Sequence, residues 1–312
     1  MYRKDACSPG SFTSEFNMDI ATEKDTGMYQ NIVVGFDGSG YSKSALMEVS
    51  NRIKRHGGNI ALVHAVFFDE EEFGTIPEQL EKRMDFGRKL CSQAKEDLLS
   101  ALGISLESII CEGDPPDTII EVAQEKKADL IAIGTHGRRG LKKLLMGSVT
   151  SGVIANAPCD VLVVKKSCSE CDGSYKSILV PFDGSESGKK ALLQACRMAR
   201  IDGSSVKVLY VIPRYEEMIG FLMTSSMKSS LMKEAEKITA AAGDLALANG
   251  VSVRTLIADG DIGSKIAETA DSEKNDLIVM GSYGWSGVNK AIIGGNTERV
   301  IMYANCPILV VR

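Results

Sequence analysis

No stretch of this 312-residue chain approaches the roughly 20 consecutive apolar residues that span a bilayer. The first 25 residues, MYRKDACSPGSFTSEFNMDIATEKD, hold no apolar core of a secretory signal. A cytoplasmic protein without a membrane partner is therefore expected. Histidine is scarce: only His56, His64 and His136 exist to supply the two further ligands a zinc site around the CSEC pair Cys168 and Cys171 would need, and that pair reads as exposed linker thiols. Neither a GxSxG nucleophile elbow nor an HExxH zinc motif occurs. There is no basic excess either. The net charge of −5 gives no global attraction for nucleic acid or anionic lipid, so any basic site is local. The eight cysteines, among them Cys91, Cys111, Cys159, Cys196 and Cys306, fall mostly in apolar runs and read as reduced, buried small hydrophobes.

What is present is a duplication. NIVVGFDGS (31–39) matches SILVPFDGS (177–185), and ADLIAIGTHG (128–137) matches NDLIVMGSYG (275–284). VIANAPCDVLVVK (153–165) matches VIMYANCPILVVR (300–312). Asp37 corresponds to Asp183, an offset of 146, and Gly134 to Gly281, an offset of 147. A period this long repeats a whole domain, and the length suits two domains. The expected organisation is a disordered extension over 1–27, a first domain over 28–166, a linker over 167–174 and a second domain over 175–312.

Each copy alternates strands and helices. NIVVGF, NIALVHAVFF, ISLESIICE, DLIAIG and DVLVVKK read as strands. Between them, SGYSKSALMEVSNRIKRHGG begins after a Ser cap and ends at paired glycines, and PPDTIIEVAQEKK opens with prolines, both helix signatures. Apolar strands alternating with helices predict an α/β fold: two tandem Rossmann-like domains, each a five-stranded parallel sheet of order 3-2-1-4-5 with helices on both faces. Such a sheet binds ligands beyond the carboxyl ends of its strands, where the order reverses. There the FDGS loop after the first strand would face the GTHG loop after the fourth.

The stretch GTHGRRGLKKLLMGS (134–148) carries the candidate chemistry. Gly134 allows a tight exit from the strand, and Gly137 would supply a positive φ beside a ligand. Gly147 precedes Ser148 at a helix start, where unpaired amides and the positive dipole end favour phosphate. The Ser148 hydroxyl would donate or cap the helix. Arg138, Arg139, Lys142 and Lys143 supply local positive charge, Arg138 being the foremost phosphate partner. Read together, these residues make a phosphate cradle. His136 lies in the same loop and has a better claim to ligand contact than His64, which reads as a core histidine.

The spacing G-x2-G-x9-G-S, after an apolar DLIAIG strand and before a helix ending in APC-x-VLVV, resembles the universal stress protein family, and more closely its ATP-binding branch. Both copies match, from Met28 to Arg312. The resemblance implies a tandem member that binds ATP with Mg2+. In the first copy the implied binding residues are Gly35, Phe36, Asp37, Ala65, Ile133, Gly134, His136, Gly137, Arg138, Gly147, Ser148 and Val149. Asp37 would contact the ribose or the magnesium ion. In the second copy they are Asp183, Val211, Gly281, Gly284, Gly294 and Gly295. The resemblance also implies a pseudo-dimer of the two copies through their last strands, further homodimerisation, an unidentified protein partner and no nucleic acid.

Two departures bear on this. Gly35 stands where the second copy has Pro181, and both suit a strand end. In GSYGWSGVNKAIIGGN, Gly295 replaces the serine and Asn296 the apolar residue; Trp285 stands where Arg138 does, and Lys290 remains of the basic cluster. The first copy is therefore expected to bind ATP more tightly. Asp37 and Asp183 are candidates for a general base or for turn and cap residues, and no paired acid stands at a telling spacing. GSESGKK (184–190) nearly spells a P-loop but is one residue short between its glycines and has Lys190 where Ser or Thr is needed. A nucleotide-dependent regulator is the reading. Its alternatives are a slow ATPase or a phosphoryl- or adenylyl-transfer enzyme, and a structural stress protein with empty sites. The apolar connection MIGFLMTSSM (218–227) is expected to cover the second crevice or meet a partner.

Overall fold

The computed structural model describes residues 28–67, 77–137, 146–165, 173–213, 224–282 and 294–312. The tail 1–27, the linker residues 167–172 and most of the apolar connection 218–227 lie outside the described residues. The first copy runs β1 (Asn31–Gly35), α1 (Gly40–His56), β2 (Asn59–Val66), α2 (Pro77–Leu102), β3 (Glu107–Glu112), α3 (Pro115–Glu125), β4 (Leu130–Gly134), α4 (Ser148–Asn156) and β5 (Asp160–Val164). The second repeats it: β6 (Ser177–Pro181), α5 (Glu186–Asp202), β7 (Ser205–Pro213), α6 (Ser225–Ala248), β8 (Val253–Gly260), α7 (Ile262–Ser272), β9 (Leu277–Gly281), α8 (Gly295–Tyr303) and β10 (Ile308–Val311).

Local chemistry sets the helix ends. Ser39 caps α1 by accepting from the Ser42 amide, and α1 ends at Gly57, as the pattern predicts. Ser185 caps α5 in the same way through the Gly188 amide, so the near P-loop is a capped helix start, with Lys189 paired to Glu186. Pro115 and Pro116 open α3, where their missing amides cost nothing.

The strands form one sheet of order β3-β2-β1-β4-β5-β10-β9-β6-β7-β8. Within each half the order is 3-2-1-4-5 and the pairings are parallel. The junction differs: β5 and β10 pair antiparallel, Leu162 against Leu309, so the halves fuse into a continuous ten-stranded sheet. Alternation along each strand divides the core. Ile32 and Val34 face one apolar layer with residues of α1, α2, α5 and α6. Val33 faces the other, with residues of α3, α4, α7 and α8. Helices therefore cover both faces.

The fusion is reciprocal. Arg312 reaches across β5 and donates to Ile154, Ala155 and Ala157 carbonyls at the end of α4. Its counterpart Lys165 donates to the Met302 carbonyl at the end of α8. Both cations meet helix C-termini, where their charge suits the dipole. A buried pair, Arg52 Nη1 to Asp202 Oδ2 at 2.9 Å, ties α1 to α5. The expectation of buried cysteines needs correction. Cys91 and Cys196 are buried, but Cys111, Cys159 and Cys306 are half-buried. They sit on the sheet rim or beside helix ends, where cover is partial. Burial still pushes the Cys159 thiol up to about 12, so it is inert rather than reactive.

Candidate functional site

At the carboxyl ends of β1 and β4, where strand order reverses, lies a cleft of about 950 Å3. Its floor is set by strand-end hydrogen bonds. The Phe36 amide donates to the Val63 carbonyl at 2.8 Å, and the buried His64 Nδ1 lies 2.7 Å from the Phe36 carbonyl. A Cβ on Gly87 of α2 would come 2.5 Å from His64 Cδ2, so the glycine lets the helix press the ring into the core. His64 is a core histidine, as its pattern predicts, although its ring also borders the cleft.

The two facing loops meet at Asp37. Its Oδ1 accepts from the Ser39 amide at 2.9 Å, which makes it a turn residue. Its Oδ2 lies 3.0 Å from where a Gly137 Cβ would stand. The glycines act by close approach, which corrects the expectation of a positive φ at Gly137: that residue is not among the positive-φ glycines. Gly134 is required because a Cβ there would stand 2.6 Å from Tyr41 Cβ and 2.9 Å from the Ser42 amide, against the start of α1.

The entry to α4 is held from below. Gly147 is the N-cap, and its own amide donates to the Thr135 carbonyl at 3.1 Å. The expectation that the Gly147 backbone receives phosphate therefore narrows to the residues after it. Ser148 is the first helical residue, so its hydroxyl does not cap α4, which has no side-chain cap. The first-turn amides at Ser148 and Val149 have no partner within the helix, and both residues line the cleft. Thr150 fixes this end by donating to the Gly134 carbonyl at 2.8 Å.

His136 stands between the loops. Its Nδ1 lies 3.1 Å from Thr135 Oγ1, and its ring lies 5.4 Å from that of Tyr41. Its Nε2 is buried without a hydrogen-bond partner among the described residues. A buried unpartnered imidazole nitrogen at a cleft wall is costly unless water or a ligand meets it.

The opposite half of the cleft is apolar. Ile133, Ala65, Val66, Phe67, Phe86 and Ile119 line it. Lys82, Arg83 and Asp114 add charge at its edge, and Arg83 Nη1 donates to the Phe67 carbonyl at 3.0 Å. The sequence reading missed Phe86, Lys82, Arg83 and Asp114. The helical stripe of α2 places Gly87, Cys91 and Leu98 toward the core, and nothing in its period marks the flanking residues as cleft wall. Arg138, Arg139, Lys142 and Lys143 lie outside the described residues, as do Gly284, Trp285, Lys290, Cys168 and Cys171.

The second copy repeats the frame with weaker ties. Asp183 Oδ1 accepts from the Ser185 amide and hydroxyl. A Cβ on Gly281 would overlap the Ser187 side chain, the counterpart of the Gly134 contact. The Gly294 amide lies 3.5 Å from the Ser282 carbonyl, and Thr297 Oγ1 lies 3.4 Å from the Gly281 carbonyl. Both are longer than in the first copy. Gly295 opens α8 with open space around its Cβ position, so no steric demand explains the missing serine. Val211 is buried in β7. No group of three or more His, Cys, Asp or Glu is placed to hold a metal ion among the described residues, and no described helix is long and apolar enough to cross a membrane.

A universal stress protein of Methanocaldococcus jannaschii is 34% identical over 145 residues, covering 45% of this chain and 84% of that protein. One of Mycobacterium tuberculosis is 25% identical over 292 residues, covering 90% of this chain and 96% of that one. The crystal structure of a universal stress protein from Archaeoglobus fulgidus shares the fold with a TM-score of 0.67 at 22% identity, over 90% of this chain and 96% of its own. The sequence pattern of the universal stress protein family matches residues 28–165 and again 174–312, so this chain, with two such units in tandem, belongs to that family.

Proposed function

We propose that the protein binds ATP in the cleft of the first copy and acts as a nucleotide-dependent stress-response regulator in the cytoplasm. The observation that carries this reading is the division of one cleft into two chemically matched halves. The apolar half, with Ala65, Ile133 and Phe86, suits a purine base. The other half presents the uncapped start of α4, the close-approach glycine at 137 and the unpartnered His136 Nε2, which suits phosphate. Asp37 lies between them and would hold the ribose or Mg2+. Mg2+ would supply charge neutralisation to the phosphates. Asp37, already fixed by the Ser39 amide, is oriented without further ordering.

Regulation follows from where the ligand contacts fall. They touch both ends of segment 134–148, so occupancy couples to the surface a partner protein would read. The β5–β10 pairing already joins the two copies within one chain, so self-association of chains would use other surfaces. The weaker loop ties of the second copy and its Gly295 favour occupancy of the first cleft. A lost hydrogen bond to a charged group lowers affinity about ten- to a hundredfold.

The test is nucleotide content of the full chain after gentle purification, with Gly147→Val and Gly294→Val beside the wild type. The wild type should carry one ATP per chain. Gly147→Val should lose it, because a branched side chain would crowd the Thr135 carbonyl 3.2 Å away and the phosphate approach, and Gly294→Val should keep it. No nucleotide in any of them, and none taken up from Mg-ATP, would reduce the glycines to packing residues.

A further inference from the structure

The two copies treat one acidic position in opposite ways. Asp261, before α7, is fully engaged. Its Oδ1 accepts from the Ser264 amide at 3.1 Å and hydroxyl at 2.7 Å, and its Oδ2 pairs with Arg299 of α8. Asp114, its counterpart before α3, makes no side-chain cap. Its carboxylate has no hydrogen bond or ion pair among the described residues, and it lines the first cleft.

Three exchanges between the copies bring this about. Asp117 stands where Ser264 stands, which replaces a donor by a like charge. Gly152 stands where Arg299 stands, which removes the partner cation. Pro116 stands where Gly263 stands. The last two are sterically linked. A Cβ on Gly152 would come 2.8 Å from Pro116 Cβ, and a Cβ on Gly263 would overlap Arg299 Cβ. Each copy therefore has one bulky residue facing one glycine, but only the second copy's arrangement occupies the aspartate. The electrostatics follow. Partial desolvation by the cleft walls and then the Asp117 charge hold the Asp114 carboxyl above its ordinary range. The Ser264 hydrogen bonds and then Arg299 hold Asp261 below it.

Position decides what Asp114 would read. The start of α4 follows β4, whereas Asp114 follows β3, three strands away across β1 and β2, about 14 Å at ordinary strand spacing. With phosphates at α4, a base would lie over the β2–β3 side, where Ala65, Phe86 and Pro115 line the cleft. We infer that Asp114 is a specificity-determining residue of the first cleft, accepting a hydrogen bond from the exocyclic 6-amino group of a bound adenine. This rests on the ATP reading above. It adds a base-edge acceptor that the second copy has withdrawn into a helix cap.

The experiment compares ATP, GTP and purine riboside triphosphate, which lacks the 6-amino group, by calorimetry on the full chain. The wild type should prefer ATP over the purine analogue by about ten- to a hundredfold, the worth of a hydrogen bond to a charged group. Asp114→Ala should bring ATP down to the level of the analogue and leave the analogue's own affinity in place. Asp114→Asn, which keeps an oxygen acceptor without the charge, should fall between. The pair Pro116→Gly with Gly152→Arg installs the second copy's clamp and should reduce the ATP preference as Asp114→Ala does. Thermal midpoints would show that each variant folds. ATP bound with the same preference in wild type and Asp114→Ala would overturn this inference and leave ATP binding standing. GTP bound more tightly than ATP would also overturn it, since Asp114 would then read a guanine edge. No binding of any of the three would overturn the ATP reading itself.

Discussion

Gly134 shows what a single missing side chain does in this fold. Its counterpart Gly281 has the same role, and in both copies the exit of the fourth strand runs against the first turn of the first helix. At Gly134 the obstacles are Tyr41 Cβ and the Tyr41 and Ser42 backbone, none of which is the free end of a flexible chain. Gly134→Ala should therefore shift either β4 or α1 and cost about 1–3 kcal/mol, the range for overpacking, read as a fall in the urea midpoint. Gly40→Ala, with nothing within 4 Å of its Cβ position, is the control and should cost nothing measurable. Gly137 differs: the close neighbour of its Cβ position is Asp37 Oδ2 at 3.0 Å, the end of a side chain that can give way, so Gly137→Ala should cost less than Gly134→Ala. The spacing G-x2-G-x9-G-S located these residues correctly on one cleft wall. It did not distinguish a backbone that needs a positive φ from one that needs a neighbour at 3 Å, because both demands select the same residue type.

At the scale of elements, period and caps made the helices and strands readable, down to Ser39 before α1 and the prolines of α3. Strand order was readable from the alternation of β and α together with the general preference of such sheets. The cleft wall contributed by α2 was not. Phe86 and Arg83 sit beside the apolar stripe, and which flank of a helix faces a ligand is fixed by its crossing over β2 and β3, not by its own period. Asp114 was hidden for another reason: an acidic residue before a helix signals a cap, and only comparison with Asp261 shows that it does not cap. The junction of the copies also lies beyond local pattern. VLVV of the one strand and ILVV of the other are apolar throughout and carry no sign of parallel or antiparallel pairing. What fixes the ends there are Arg312 and Lys165, each on the other copy's helix. Arg312 makes three hydrogen bonds to α4 carbonyls and Lys165 one to α8. Arg312→Ala should accordingly destabilise more than Lys165→Ala, by about 1.5–3 kcal/mol for bonds from a charged donor, measured as the difference between their urea midpoints. Equal losses would mean that the strand pairing, not the arginine, holds the junction.

For the whole molecule, the decisive interface is the one that turns two copies into one body, and it carries a titratable group. Arg52 and Asp202 are buried, and Arg52 Nη1 also donates to the Gly173 carbonyl, where the chain enters the second copy. Gly173 has φ +86°, and a Cβ there would overlap the Asn51 carbonyl, so glycine alone fits the approach to α1. His56 Nε2 lies 3.0 Å from Asp202 Oδ1. Asp202 favours the imidazolium by its charge and, less, by this contact. Desolvation, and then the neighbouring Arg52, outweigh the Asp202 attraction and hold the His56 pKa below its ordinary value. The folded state thus resists protonation that the unfolded chain accepts near its ordinary pKa of about 6.5. Stability from this group is complete above that value and is lost as pH falls from about 6.5 toward the depressed folded pKa. Asp160, raised chiefly by burial despite its bond from Tyr29, acts with the opposite sign at lower pH, since its folded form takes up a proton more readily than the unfolded one. The two are separable by mutation. Urea midpoints of the wild type should fall between pH 7.5 and 5.5 relative to those of His56→Gln, which keeps Asp160 but removes the imidazole. Midpoints that run parallel over that interval would show that Arg52 and burial do not set the protonation of His56, and that the joint between the copies is insensitive to pH in this range.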